Sequence, residues 1–250
     1  MTIHAQPISK KPKKIRAKKN HILGHTYIVW LKLQKGQEKI LRFAKHRKEF
    51  REQIRAQNGH EHCVSVNHLA TETMIRMRRY GALLDELILT RAWELHDKSE
   101  GILGYEVIAP NKKDEDDLRE YLAFERVYKK LGKRVWPEYQ RCFLLQFALK
   151  NPSCFPQEAR DVMADLARRY RNEALFFQGV QYVDYLFYAY ECFREYGICE
   201  VIEDITRNSF VHIDAISSEL IGFDKVLWTP RRRKYFAQFL KPAPQTSSGS

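Results

Sequence analysis

The densest set of side chains able to bind a metal is the run HEHCVSVNH, where His60, His62, Cys63 and His68 offer four nitrogen or sulfur donors. Zinc takes four such ligands in a tetrahedron. This spacing matches no zinc finger, however, and His68 falls on an expected helix, so the run reads as a polar loop. Acidic neighbours that could divide general acid and base work stand at Asp85 and Glu86, at residues 114–117, and at Glu203 and Asp204. Neighbours along a helix do not converge on one substrate. No GxSxG, HExxH or phosphate-binding loop accompanies them, and they read as solvated surface and helix caps. The expectation is a non-enzyme with no catalytic, cofactor or metal residues.

Charge gives a stronger signal. Residues 1–60 carry 16 Lys/Arg against 3 Asp/Glu, whereas residues 61–250 carry 27 against 28, so the whole-chain net charge of +12 belongs to the first quarter. A basic block on a neutral body suggests a nucleic-acid-binding head attached to a second unit. Residues 1–25 read as a flexible basic arm, with Lys13, Lys14, Arg16, Lys18 and Lys19 placed to follow a phosphate backbone. The RRRK run at residues 231–234 is either a further phosphate contact or a solvated helix end.

The elements that must position these charges follow from the hydrophobic pattern. TYIVWLKLQ, residues 26–34, is rich in β-branched and aromatic residues and predicts a strand. Its period-2 faces are Tyr27, Val29, Leu31 and Leu33 on one side, with Thr26, Ile28, Trp30, Lys32 and Gln34 on the other. Gly36 and Gln37 then lead into a helix to about Gln57, which Asn58 and Gly59 stop. Ser65 or Asn67 caps a further helix.

From Gly81 onward the pattern is helix after helix. The acidic residues 114–117 open one, and Pro137 and Pro156 begin two others. The aromatic stretch 176–196 reads as a widely buried helix, in part against a second subunit. The tail 241–250 (KPAPQTSSGS) reads as disordered.

The order of strand, helix, turn and capped helix over residues 26–79 resembles the ribbon-helix-helix family of DNA-binding proteins. TYIVWLKLQ stands where that family has its ribbon, QEKILRFAKHRKEF where its first helix lies, and VSVNHLATETM matches the opening of its second. The resemblance implies a homodimer whose paired strands enter the major groove of double-stranded DNA. Thr26, Ile28, Trp30, Lys32 and Gln34 would then face bases. Lys35, Arg42, Arg47 and the helix start near Ser65 and Asn67 would hold phosphates. A basic head on a large helical body is also similar to the AcaB-type transcriptional activators of conjugative elements.

The sequence-based expectation is therefore a mostly α protein: a ribbon-helix-helix-like head at 26–80, a multi-helix body at 81–240, and a role as a dimeric DNA-binding transcriptional regulator that also meets the transcription machinery. A helical RNA- or nucleoprotein-associated factor and a protein–protein adaptor are the alternatives. No run of about 18 apolar residues exists. Five scattered cysteines without a CxxC pair suit free thiols in a reducing compartment, so a cytoplasmic location is expected, with no membrane contact.

Overall fold

A computed structural model describes residues 21–42, 55–106, 112–197 and 199–240, with backbone alone for 21–28. The arm residues Lys13, Lys14, Arg16, Lys18 and Lys19, the phosphate candidate Arg47 and the tail 241–250 lie outside the described residues. Among the described residues there is no strand, and the expected ribbon is overturned. Residues 26–34 belong to helix α1 (His21–Glu38).

The apolar run in α1 fits two periods. As a strand it offers Tyr27, Val29, Leu31 and Leu33. As a helix it offers Val29, Trp30, Leu33 and Gln37 at spacings of one, three and four, with Lys32 and Lys35 exposed on the other side. The helical period wins because α1 has a helix to pack on. The paired β-ribbon, and a dimer built through it, fall with the strand.

The chain leaves α1 at Glu38 and forms an isolated antiparallel bridge between Leu41 and Asn58. Residues 55–57 are not helical, so the helix expected to reach Gln57 does not end there. Asn58 starts a helix rather than stopping one. Its side chain accepts from the Glu61 amide at 2.9 Å, and Glu61 accepts from the Asn58 amide at 3.0 Å, a reciprocal cap on α2 (Gly59–Met77). Ser65 and Asn67 therefore lie inside α2 and present no helix-start amides to a phosphate.

Next come α3 (Glu86–Leu95), capped by Asp85, and α4 (Lys98–Leu103), with only His96 and Asp97 between them. Then follow α5 (Asp114–Tyr128), α6 (Trp136–Leu144), α7 (Gln157–Arg169) and α8 (Arg171–Tyr196). Helices α9 (Glu200–Glu219), α10 (Phe223–Val226) and α11 (Pro230–Ala237) complete the fold. The starts read from residues 114–117, Pro137 and Pro156 agree with α5, α6 and α7. The mostly α body stands.

Helix α8 is apolar on nearly every side and runs through the interior, packed by α9, α2, α7 and α3. Its Phe177 stacks on Trp93 of α3 at 3.9 Å between ring centroids. Leu33 of α1 and Val66, Ala70 and Met74 of α2 share the same core as these rings. No helix among the described residues is long and apolar enough to cross a membrane.

The contact between α1 and α4 is a backbone approach. A Cβ on Gly36 would lie 2.5 Å from the Gly101 carbonyl oxygen, and one on Gly101 would lie 2.8 Å from that of Leu33. Beside this crossing, Lys98 donates to Gln37 Oε1 at 2.8 Å, and its ammonium lies 5.5 Å from the centroid of the Trp30 ring. Replacing Gly36 by Val forces the helices apart. The expected cost is roughly 2 kcal/mol, a fall in Tm of roughly 4–8 °C measured by scanning calorimetry, whereas Lys35→Ala on the exposed face should change Tm little.

Candidate functional site

Four segments bring polar groups to one interior point. Helix α2 supplies His62, the junction of α3 and α4 supplies His96 and Asp97, and the middle of α8 supplies Asp184. The Leu41–Asn58 bridge supplies Arg42, whose amide donates to Gln57 O at 2.9 Å. His62 and His96 are each 1% exposed.

The ring nitrogens have defined tasks. His96 Nδ1 lies 2.8 Å from the Trp93 carbonyl, an acceptor, so Nδ1 carries a proton and Nε2 is the nitrogen turned to the site. That Nε2 is buried and lies 3.0 Å from Asp97 Oδ2. His62 Nδ1 faces Asp184 Oδ2 at 2.9 Å, and its Nε2 is 3.6 Å from the same Asp97 Oδ2. Burial, and next the Arg42 charge, lower the pKa of His62 and keep it neutral, with Asp184 and Asp97 opposing.

Two imidazole nitrogens thus approach one carboxylate oxygen, and a positive charge there, a proton on an imidazole or a metal ion, holds the three together. His62, His96 and Asp97 offer ligand atoms that all lie within 4.8 Å of one another. Metal–ligand bonds of about 2.1 Å at angles between 90° and 109° separate neighbouring ligand atoms by roughly 3.0–3.4 Å, close to the 3.0 and 3.6 Å from Asp97 Oδ2 to the two imidazoles. The donor set suits a borderline divalent ion such as Zn²⁺, Mn²⁺, Fe²⁺ or Co²⁺. Asp184 is the fourth member of the group. It fixes the His62 ring from its far side and takes a hydrogen bond from Ser65 Oγ at 3.1 Å, the outer-shell support that metal-binding histidines use.

Electrostatics hold the carboxylates ionised. Burial disfavours charge on Asp97, but His96, His62 and Arg42 outweigh it and keep the carboxyl well below the usual range. Asp184 is also lowered against its burial, by His62, Arg42 and Ser65. Arg42 remains charged because Glu106 at 3.2 Å, with Tyr185 and Asp184 nearby, overcomes its desolvation.

The group opens on a cavity of about 110 Å³, room for several water-sized groups. Its wall includes Arg42, Lys112 and Lys150 as cations and Asp97, Glu100, Glu106 and Asp117 as acids. Gln146, Gln178, Gln181, Asn208 and the rings of Tyr182 and Tyr185 line the rest. Glu100 is 8% exposed, and burial together with Asp97, Glu106 and Glu120 pushes its pKa well up, so it holds a proton.

Against this centre, the residues singled out in the sequence scatter. Of the four donors in HEHCVSVNH only His62 enters the trio. His68 is exposed, and His60 lies 3.4 Å from Gln34 Nε2. Cys63 is buried and donates weakly towards Asp97 at 3.7 Å. Arg42 is interior, not on an exposed phosphate-facing surface. Trp30 is half-buried beside Lys98, while Lys32 and Lys35 are exposed on α1. Thr26 and Ile28 fall within the backbone-only part of that helix.

His96, Asp97, Glu100 and Asp184 carry no motif picked out in the sequence. One signal was present: Asp184 is the sole charged residue between Ala174 and Tyr190, in the middle of a buried helix. Such a charge persists only with a partner.

Added Mn²⁺ or Co²⁺ should raise the Tm of the protein, by about 2.7 kcal/mol of linkage at a hundredfold excess over Kd, or roughly 5–10 °C. The shift should vanish in Asp97→Ala. It should also shrink as pH falls: protons compete for His62 below its ordinary value of about 6.5 and, further down, for Asp97. These groups have lowered pKa values, so the unfolded chain binds more protons and acid also destabilises the metal-free protein.

Compared with known proteins, the chain matches no family model, no curated protein and no solved structure.

Proposed function

We propose that the protein is a metal-dependent hydrolase of small phosphate monoesters. The observation that carries this reading is the convergence of His62, His96 and Asp97 on one point of a cavity that Arg42, Lys112 and Lys150 also line. Two histidines and a carboxylate serve several metal chemistries. Cations on the cavity wall favour an anionic substrate, and a proton-bearing carboxyl beside them favours acid–base cleavage.

A divalent ion held by His62, His96 and Asp97 would supply a Lewis acid and would lower the pKa of water. The chain's own residues do the rest. Arg42 keeps its charge in a desolvated setting and stabilises negative charge as it develops on the phosphoryl group. Glu100 holds a proton at neutral pH and delivers it to the leaving alkoxide. Asp184 keeps the His62 ring in the orientation that presents Nε2. Gln146, Gln178, Gln181 and Asn208, each both donor and acceptor, suit the polar organic part of the ester, and a nucleoside monophosphate has the hydrogen-bonding edges to engage them.

The regulator reading keeps its support in the charge of residues 1–60, but it has lost the strand that was to read bases. The two readings separate in one experiment. Purified protein with Mn²⁺ or Co²⁺ is offered a panel of nucleoside monophosphates and simple phosphomonoesters, and phosphate release is measured.

Turnover is expected for the protein as it stands. Asp97→Ala should abolish it, and Glu100→Gln should lower kcat by about 10²- to 10⁴-fold while metal still raises Tm. Metal binding without phosphate release from any ester, together with a specificity ratio of about 10³ for one duplex over random DNA, would overturn the hydrolase and restore the regulator.

A further inference from the structure

The trio is not the whole of the charged interior. Asp117 and Glu120 stand one turn apart on α5 and both point inward, 1% and 4% exposed. Between them lies the ammonium of Lys112, 2.8 Å from Glu120 Oε2 and 3.1 Å from Asp117 Oδ1. The second oxygen of Asp117 takes Lys150 Nζ at 3.3 Å. Helix α5 packs on α4, which carries Glu100 immediately after the metal ligands, and Glu100 and Asp117 line the cavity on which the trio opens. The Glu100 carboxyl has no hydrogen-bond or ion-pair partner among the described residues.

Asp117 and Glu120, on either side of this ammonium, offer carboxylate oxygens of the kind that Mg²⁺ or Mn²⁺ takes. Two-metal hydrolases place a second ion beside the first, about 3.5–4 Å away, to share the charge of the displacement. Here a compact, strongly hydrated point charge on a flexible stem sits among the carboxylates instead. Glu120 and Asp117 hold Lys112 charged despite its burial, with its pKa raised.

We propose that Lys112 is the fixed second cation of the centre, standing in for a second divalent ion, so that the protein binds one metal and Lys112 completes the clamp on the phosphoryl group. This rests on the metal-hydrolase reading above. It assigns Lys112 a role that a surface ion pair would not have. The ammonium tunes the number of ions bound, and it contributes positive charge where the phosphate oxygens sit.

The test is metal content per chain after equilibrium dialysis against Mn²⁺, read by mass spectrometry, for the protein and for Lys112→Arg, Lys112→Ala and Lys112→Ala/Glu120→Gln. Circular dichroism confirms that each variant is folded. One ion is expected in the protein and in Lys112→Arg, a second in Lys112→Ala, and its loss again in the double variant. Steady-state kinetics add a readout that a purely structural lysine would not move: kcat of Lys112→Ala should fall by about 10²-fold at low Mn²⁺ and recover in part as Mn²⁺ is raised.

Two ions in the unaltered protein overturn the proposal and leave the hydrolase reading intact. So does a folded Lys112→Ala that stays at one ion with no Mn²⁺ rescue. If Lys112→Ala does not fold, the decision falls to the unaltered protein and Lys112→Arg, where a second ion in either overturns it. No ion at all in the unaltered protein overturns the metal reading and this inference together.

Discussion

Buried negative charge is the constraint around which this fold is organised. Asp97, Glu100, Glu106 and Asp117 line one cavity, with Asp184 and Glu120 directly behind, while Arg42, Lys112 and Lys150 are the cations that meet them. Taking an ionised carboxylate out of water costs several kcal/mol unless it is paired and hydrogen-bonded. Among the described residues, three cations meet these six carboxyl groups. Protons account for part of the difference: burial lifts Glu100 well above the carboxylate range and brings Glu120 to about 7 against the pull of Lys112. Asp97 and Asp184 are held ionised, and two imidazole nitrogens approach Asp97. A divalent ion held by His62, His96 and Asp97, as proposed above, would add positive charge at this corner.

The architecture keeps that corner rigid. His62 rides on a helix whose start is fixed by the Asn58–Glu61 box, and Asp184 rides on a long helix packed by several others. His96 and Asp97 occupy the short junction between α3 and α4. There the Trp93 carbonyl sets the His96 tautomer, while Trp93 itself is stacked on Phe177 of α8. Ligands held by packed helices keep their geometry better than ligands on loops. The close crossing of Gly36 and Gly101 extends the same logic outward, because α1 packs on the helix that continues directly from Asp97.

The body was legible because its signals are local. Proline at a first turn and acids before an apolar run act within one turn of helix, and α5, α6 and α7 begin where those signals stand. Helix α1 was not legible, since residues 26–34 satisfy a period of two as well as one of 3.6. What decided between them is the glycine contact with α4, more than sixty positions away in sequence. The site failed to show for the same reason. His62 pairs with Asp97 across 35 residues and with Asp184 across 122, and no spacing rule spans such distances. The clue that was present, one charged residue in the buried middle of a helix, is an energetic anomaly rather than a motif.

The basic first quarter and the interior cations both attract phosphate, but they do so under different physics. Exposed lysines such as Lys32 and Lys35 act through water and salt, where charge is screened over about 8 Å at physiological ionic strength. They raise the local concentration of any polyanion without distinguishing one from another. Arg42 is 3% exposed and held among carboxylates, so its field reaches a bound phosphate with little screening. A ligand must leave water to meet it, and only a group small enough for the cavity can do so. Discrimination therefore lies in the interior set, and the charge asymmetry that dominates the sequence concerns encounter rather than choice.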